Sequence, residues 1–162
     1  MKKITTYLAV LVGLLFGALT LTNTTTVKAD SPLPAGRYSF AVTNKAQTTD
    51  MQGNVTATVL DAGSVWKINS EYYHGDQTFY QIAPDIFVNQ NDGYMYMPRV
   101  TNVTVFNKNV APLYNHNGKL ITDRALAPKT VWYTDRTILV DKITYYRVAT
   151  DEFVSIGDVS EN

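Results

Sequence analysis

The sequence predicts an all-β protein of two diverged tandem repeats, each a small β-meander or SH3-like barrel, behind a cleaved signal peptide. The first observation is internal repetition, which is settled before other features are read. Leu60–Val88 recurs without a gap at Leu126–Val154, 66 positions later. Leu60, Val65, Trp66, Thr78, Tyr80, Ala83, Asp85, Phe87 and Val88 meet Leu126, Val131, Trp132, Thr144, Tyr146, Ala149, Asp151, Phe153 and Val154. The two tryptophans of the whole chain fall on equivalent positions. The second observation is rhythm. Short β-branched and aromatic runs alternate with turn signals about every ten residues. No window sustains an apolar period of 3.6 residues.

The beginning of the chain reads as a leader. Met1-Lys2-Lys3 is positive, Tyr7–Leu19 is an apolar run, and Val27-Lys28-Ala29 ends in a small-residue processing pattern. Cleavage is expected after Ala29, so residues 1–29 are the signal peptide and the mature chain starts at Asp30. The apolar run is short for a span of about 20 residues. No second such run follows, so no membrane association is expected after cleavage. The protein is expected to be secreted and to lie outside the cell.

The first repeat is placed at 30–98. Asp30–Gly36, with two prolines and a glycine, reads as a loose lead-in. Arg37–Val42 alternates like a strand, and Thr43–Asp50 reads as loop. Met51–Asn54 is a turn and Val55–Leu60 a β-branched strand. The Trp66 strand, Thr78–Ile82 and Ile86–Val88 follow. Tyr94–Pro98 is short and apolar rather than Gly/Ser-rich, so the repeats should touch rather than swing freely.

The second repeat is placed at 99–162. Val103–Phe106 opens it, and Asn117-Gly118 is a strong hairpin signal. Lys129–Tyr133 is the tryptophan strand, Thr144–Val148 the next, and Phe153–Ile156 the last. Alternation of side chains puts Tyr146 and Val148 inward and Tyr145 and Arg147 outward. Both tryptophans are expected in the core.

Composition excludes several functions. With no cysteine, there is no disulfide, thiolate metal site or cysteine nucleophile. The mature chain holds 11 basic against 14 acidic residues, a net of −3, which argues against nucleic acid. Charge is uneven: residues 30–96 carry three bases against seven acids, whereas 97–162 carry eight against seven. His74 and His116 fall in predicted turns at non-equivalent positions and read as solvent-exposed. Asp85 and Asp151 read as turn caps that accept backbone N–H bonds. No nucleophile elbow, zinc-protease helix or phosphate loop is present. No enzyme activity, cofactor or metal is expected.

Leu113-Tyr114-Asn115-x-x-Gly118-Lys119, Lys129–Tyr133, Thr144–Val148 and Phe153-Val154 resemble the C-terminal repeat of lactobacillal S-layer proteins, the surface-layer-protein A (SLAP) domain. The likeness covers roughly residues 103–156, and reaches 40–88 through the internal repeat. It implies non-covalent attachment to the cell wall, with teichoic or lipoteichoic acid as ligand. The chain departs from that family in charge: its repeats are strongly basic, whereas this mature chain is mildly acidic.

Lys108–Arg147 nevertheless holds seven bases against Asp123, Asp135 and Asp141, a net of +4. Lysine and arginine grip phosphate polymers as charge partners. The expected binding residues are Lys108, Lys119, Arg124, Lys129, Arg136, Lys142 and Arg147, forming a basic groove flanked by Tyr114, Tyr133 and Tyr145. The alternatives are a module docking on an S-layer or other surface protein, and a small wall hydrolase or hydrolase inhibitor.

Overall fold

The computed structural model describes residues 28–106 and 109–162, and among them every long element is a strand. In order these are β1 (Lys28–Pro32), β2 (Ser39–Val42), β3 (Ala46–Thr49), β4 (Val55–Leu60), β5 (Val65–Lys67), β6 (Ser70–His74), β7 (Gln77–Ala83), β8 (Ile86–Asn89) and β9 (Gly93–Val105). Then come β10 (Ala111–Tyr114), β11 (Leu120–Leu126), β12 (Val131–Val140), β13 (Ile143–Ala149), β14 (Glu152–Ser155) and β15 (Val159–Glu161). Short 3-10 turns at Gln90–Asp92 and Ile156–Asp158 lead into β9 and β15. The all-β expectation holds. The ladders form two open sheets: β1-β6-β7-β8-β3-β4, and β11-β10-β14-β13-β12-β9-β2-β5 with β15 against β9.

Hydrogen bonds 66 residues apart coincide. Trp66 Nε1 donates to Ser64 Oγ at 3.0 Å, and Trp132 Nε1 to Thr130 Oγ1 at 2.7 Å. Each hydroxyl in turn donates to a carbonyl three residues earlier, Asp61 or Ala127. Asn91 N donates to Asn89 Oδ1 as Gly157 N does to Ser155 Oγ. Left-handed backbone recurs too, at Gly63 and Lys129, Gly75 and Asp141, and Asp85 and Asp151. The strand order β4-β3-β8-β7-β6 matches β11-β10-β14-β13-β12.

One strand joins the two halves. Gly93–Tyr96 of β9 pairs with β2, whereas Thr101–Thr104 of the same strand pairs with β12. Tyr94–Pro98, read as a linker, is therefore strand. Two other stretches read as irregular also pair. Ser31 and Pro32 of β1 lie against Glu71 and Ser70, and β3 forms within Thr43–Asp50. Partner strands supply the ladder bonds that local sequence did not announce.

Three apolar clusters result. One sits in the first half around Phe40, Leu60, Ile68 and Val88, and one in the second around Val103, Leu113, Leu126 and Val154. Trp66 and Trp132 are half-buried against their edges rather than at their centres. The third cluster lies between the halves: Ala41 and Tyr96 meet Ile138, Tyr145 and Phe153. The halves thus touch, as the apolar connection predicts. Of the leader, residues 1–27 lie outside the described residues.

Candidate functional site

The cleft beside this shared cluster is built on a bulge. The β12 register shifts between Thr134 and Arg136, so Asp135 sits at the irregularity, and Thr134 Oγ1 donates to Arg136 O at 2.9 Å. A bulge breaks side-chain alternation and re-aims the residues after it. Here it leaves Thr134, Arg136 and Thr137 buried around half-buried Asp135. At the equivalent place in the first half the strand breaks altogether, between β5 and β6.

Burying Arg136 is tolerable only with partners, because an unpaired buried charge is costly. Its guanidinium donates to Asp135 at 2.9 Å and to Tyr94 Oη at 3.4 Å, and lies 4.1 Å from the centre of the Tyr96 ring. Arg147, from β13, grips the same carboxylate as a fork, at 2.8 and 2.6 Å. Burial alone would raise the Asp135 carboxyl, but the bonds and charges of Arg147 and Arg136 outweigh it and hold it at about 2. One carboxylate between two guanidiniums leaves a cluster with one positive charge in excess.

Arg136 and Arg147 line a cleft of about 240 Å³ with Val42, Thr43 and Val65 of the first half and Tyr94, Thr150 and Asp151. Arg147 and Thr150 also line an adjoining hollow of about 210 Å³ with Tyr133 and Asp135. Asp151 is occupied: its Oδ1 accepts from His116 N at 2.9 Å and meets His116 Nδ1 at 2.7 Å. The His116 ring stacks on Tyr94, 5.1 Å between centres.

The ten expected binding residues divide. Arg136 and Arg147 come together at this cleft, and Tyr133 lines the hollow beside it. Arg136 is 8 % exposed, because the bulge turns it inward, and presents only the edge of its charge. Tyr145 does face away from Tyr146, but it is 7 % exposed and packs edge-on to half-buried Tyr114 at 5.2 Å. Those two rings belong to the cluster between the halves, which covers the face expected to meet solvent. They do not flank an open groove. Arg124 is ion-paired to Glu152 at 2.6 Å and to Asp123 at 3.1 Å. Lys119, Lys129 and Lys142 are exposed at three different turns. Lys108 lies outside the described residues.

Sequence reading missed Tyr94, Asp135 and the bonded pair His116–Asp151. Asp85 and Asp151 do accept backbone N–H bonds, but from Met51 and His116, in turns 34 and 35 residues distant. His116 is correspondingly held, with a side chain only 16 % exposed. A visible signal was the charged doublet Asp135-Arg136 inside a ten-residue strand.

No family model matches the chain, and no curated protein matches it. A solved structure of a proposed autolysin from Listeria monocytogenes is similar at 12% identity and a TM-score of 0.34. The likeness covers 84% of this chain and 66% of that one, just under two thirds of its length.

Proposed function

We propose that this is a secreted, non-enzymatic protein that binds the cell wall non-covalently through an anionic polymer, teichoic or lipoteichoic acid. The observation that supports it most is the arginine pair at the cleft between the halves. Two guanidiniums share one carboxylate, and Arg147 is half-buried at the meeting of two hollows. A phosphate reaching Arg147 meets a cation already oriented by Asp135, and exposed Tyr133 beside it offers a face for a sugar or glycerol unit. Lys119, Lys129 and Lys142 would add attraction at longer range, screened by salt. The resemblance of residues 103–156 to the SLAP repeat supports the same ligand class.

The test is sedimentation with purified walls, intact or stripped of teichoic acid, across a salt series. Binding should need the polymer and weaken as salt rises. Arg147→Gln with Tyr133→Ala should weaken it about tenfold, the size of one lost charge-assisted contact. Binding that persists on stripped walls would favour docking on a surface protein instead. Turnover of a wall polymer would favour the hydrolase reading.

A further inference from the structure

A second cleft lies on the other face of the seam between the halves. Side chains alternate along β12 and β13, so Thr137 and Tyr146 take the side opposite to Arg136 and Arg147. In the ladders Thr137 stands across from both Met97 of β9 and Tyr146 of β13, and Thr144 is two residues from Tyr146 on the same face. With Arg37 of the first half and Arg99 and Glu161 of the second, they line a cleft of about 450 Å³. Small-molecule sites occupy about 300–1,000 Å³.

The rim of this cleft is ionic and its floor carries hydroxyls. Glu161 Oε1 accepts from Arg99 Nε at 2.8 Å and from Arg99 Nη2 at 2.6 Å. Tyr146 Oη donates to Glu161 Oε2 at 3.3 Å. Exposed Arg37 has no acidic partner among the described residues, and its guanidinium lies 5.5 Å from the centre of the Tyr38 ring. The cleft thus carries one positive charge in excess. Thr137 is 5 % exposed, and its hydroxyl has no hydrogen-bond partner among the described residues. No enclosed side-chain oxygen among them lacks a partner, so this hydroxyl opens on the cleft. The hydroxyl of half-buried Thr144 is also unpartnered there.

The first half shows that the fold does not need this polarity. Pro98 across from Arg136 and Met97 across from Thr137 repeat Pro32 across from Ser70 and Ser31 across from Glu71, so the two frames coincide at the same offset. In that frame Arg99 and Glu161 correspond to Leu33 and Met95. Those two pack on the first core beside Tyr80, the counterpart of Tyr146. One half fills this place with apolar side chains, and the other sets charges around open space.

We infer that this cleft binds a hexose that carries an anionic group. A hydroxyl both donates and accepts, so Thr137 and Thr144 match sugar hydroxyls. Glu161 Oε2 keeps accepting capacity beyond its bond from Tyr146. Arg37 takes the anion through a charge-assisted bond, and Met97 and Pro98 offer apolar surface to the sugar's C–H face. The cleft faces away from Arg136 and Arg147, so this inference does not rest on wall binding there.

NMR titration of the purified, isotope-labelled protein tests it, with D-glucuronate, glucose 1-phosphate and glucose as probes. Glucuronate should shift the Nε–H signals of Arg37 and Arg99 and the backbone amides of Thr137 and Thr144, with a dissociation constant of about 1 mM. Glucose should bind at least about tenfold more weakly, lacking the charge-assisted contact. Glucose 1-phosphate identifies the anion: tighter binding than glucuronate assigns a phosphate, weaker binding a carboxylate. Thr137→Val keeps the shape, removes the hydroxyl and should raise the glucuronate constant about fivefold. Arg37→Gln, at an exposed position, should abolish the preference for glucuronate over glucose. Near-ultraviolet circular dichroism of both variants should match the parent. No saturable shift up to about 20 mM overturns the inference. So does equal affinity for glucose and both acids, an unchanged constant in Thr137→Val, or an unchanged preference in Arg37→Gln. Shifts confined to Arg136 and Arg147 would put the anion in the other cleft and overturn it as well.

Discussion

Asp151 holds His116 at two points, its backbone N–H at 2.9 Å and its ring Nδ1 at 2.7 Å, across 35 residues of sequence. Asp85 makes only the backbone half of this arrangement, to Met51. The shared part ties the strand turn before β8 or β14 to the turn after β3 or β10. That recurrence marks the aspartate as a structural latch to which the second half adds a histidine. Both aspartates have left-handed backbone, φ 52° and 53°, which aspartate and asparagine tolerate better than alanine. Asp151→Ala should therefore cost about 2 kcal/mol, from lost bonds and added backbone strain. Asp151→Asn, which keeps an acceptor and tolerates the backbone, should cost less. Urea unfolding measures both, and equal losses would refute the latch.

Asp135 predicts how the shared cluster responds to acid. Its folded carboxyl, held at about 2, lies below the ordinary 3.8. A depressed carboxylate stabilises the folded state above its unfolded pKa, and that contribution is lost as pH falls from about 4 through 2. Holding the carboxyl that far down corresponds to about 2 kcal/mol. Asp135→Asn should be less stable than the parent by that order at neutral pH. The gap should close as both are acidified toward pH 2. A gap constant with pH would mean that the arginines do not depend on this charge.

The sequence shows the repeat where it is ungapped and hides it where it is not. Trp66 and Trp132, or Asp85 and Asp151, align at one offset. The turns Asp50–Gly53 and Asn115–Gly118 do not, being one residue out of step. Yet Asp50 Oδ1 accepts from Gln52 N and Asn54 N just as Asn115 Oδ1 does from Asn117 N and Lys119 N. The buried states of Tyr145 and Arg136 were hidden for another reason. Alternation tells which side of a strand a residue takes, but not that Ala41 and Tyr96 come from the other half to cover that side. The bulge at Asp135 then inverts the alternation itself.

Lys129 exposes a conflict between turn and charge. Its backbone sits at φ 63°, where the first half has Gly63 at φ 83°. Lys129 N bonds Val105 O as Gly63 N bonds Val42 O, so the turn is the same and only the residue is unsuited to it. A non-glycine residue there is strained by about 1 kcal/mol. Lys129→Gly should raise stability by about 0.5 kcal/mol, the strain relieved less the added freedom of the unfolded chain. On the proposed wall-binding reading, it should also weaken binding slightly at low salt. Thermal unfolding reads the first effect, and a fall in stability would show that the lysine side chain contributes a contact of its own.

Gly93 is the position where the second half cannot be copied into the first. Its φ of 177° is ordinary extended backbone, so no conformational strain requires glycine. Space does. A Cβ there would lie 2.0 Å from Ala41 O and 2.8 Å from Phe40 Cε1. Both neighbours are fixed: Ala41 is in the β2–β9 ladder, and Phe40 is fully buried in the first core. At the equivalent position the second half has Val159, buried without difficulty. Gly93→Ala must push β9 away from β2, and β9 also carries the ladder of the second half through Thr101–Thr104. The expected cost is about 2–4 kcal/mol, in the range of overpacked cores. Because one strand serves both halves, the loss should appear as a lower midpoint of a single transition. Hydrogen exchange should quicken at Val42 and also in β12. Quickening confined to the first half would mean that β9 does not transmit the disturbance past Pro98.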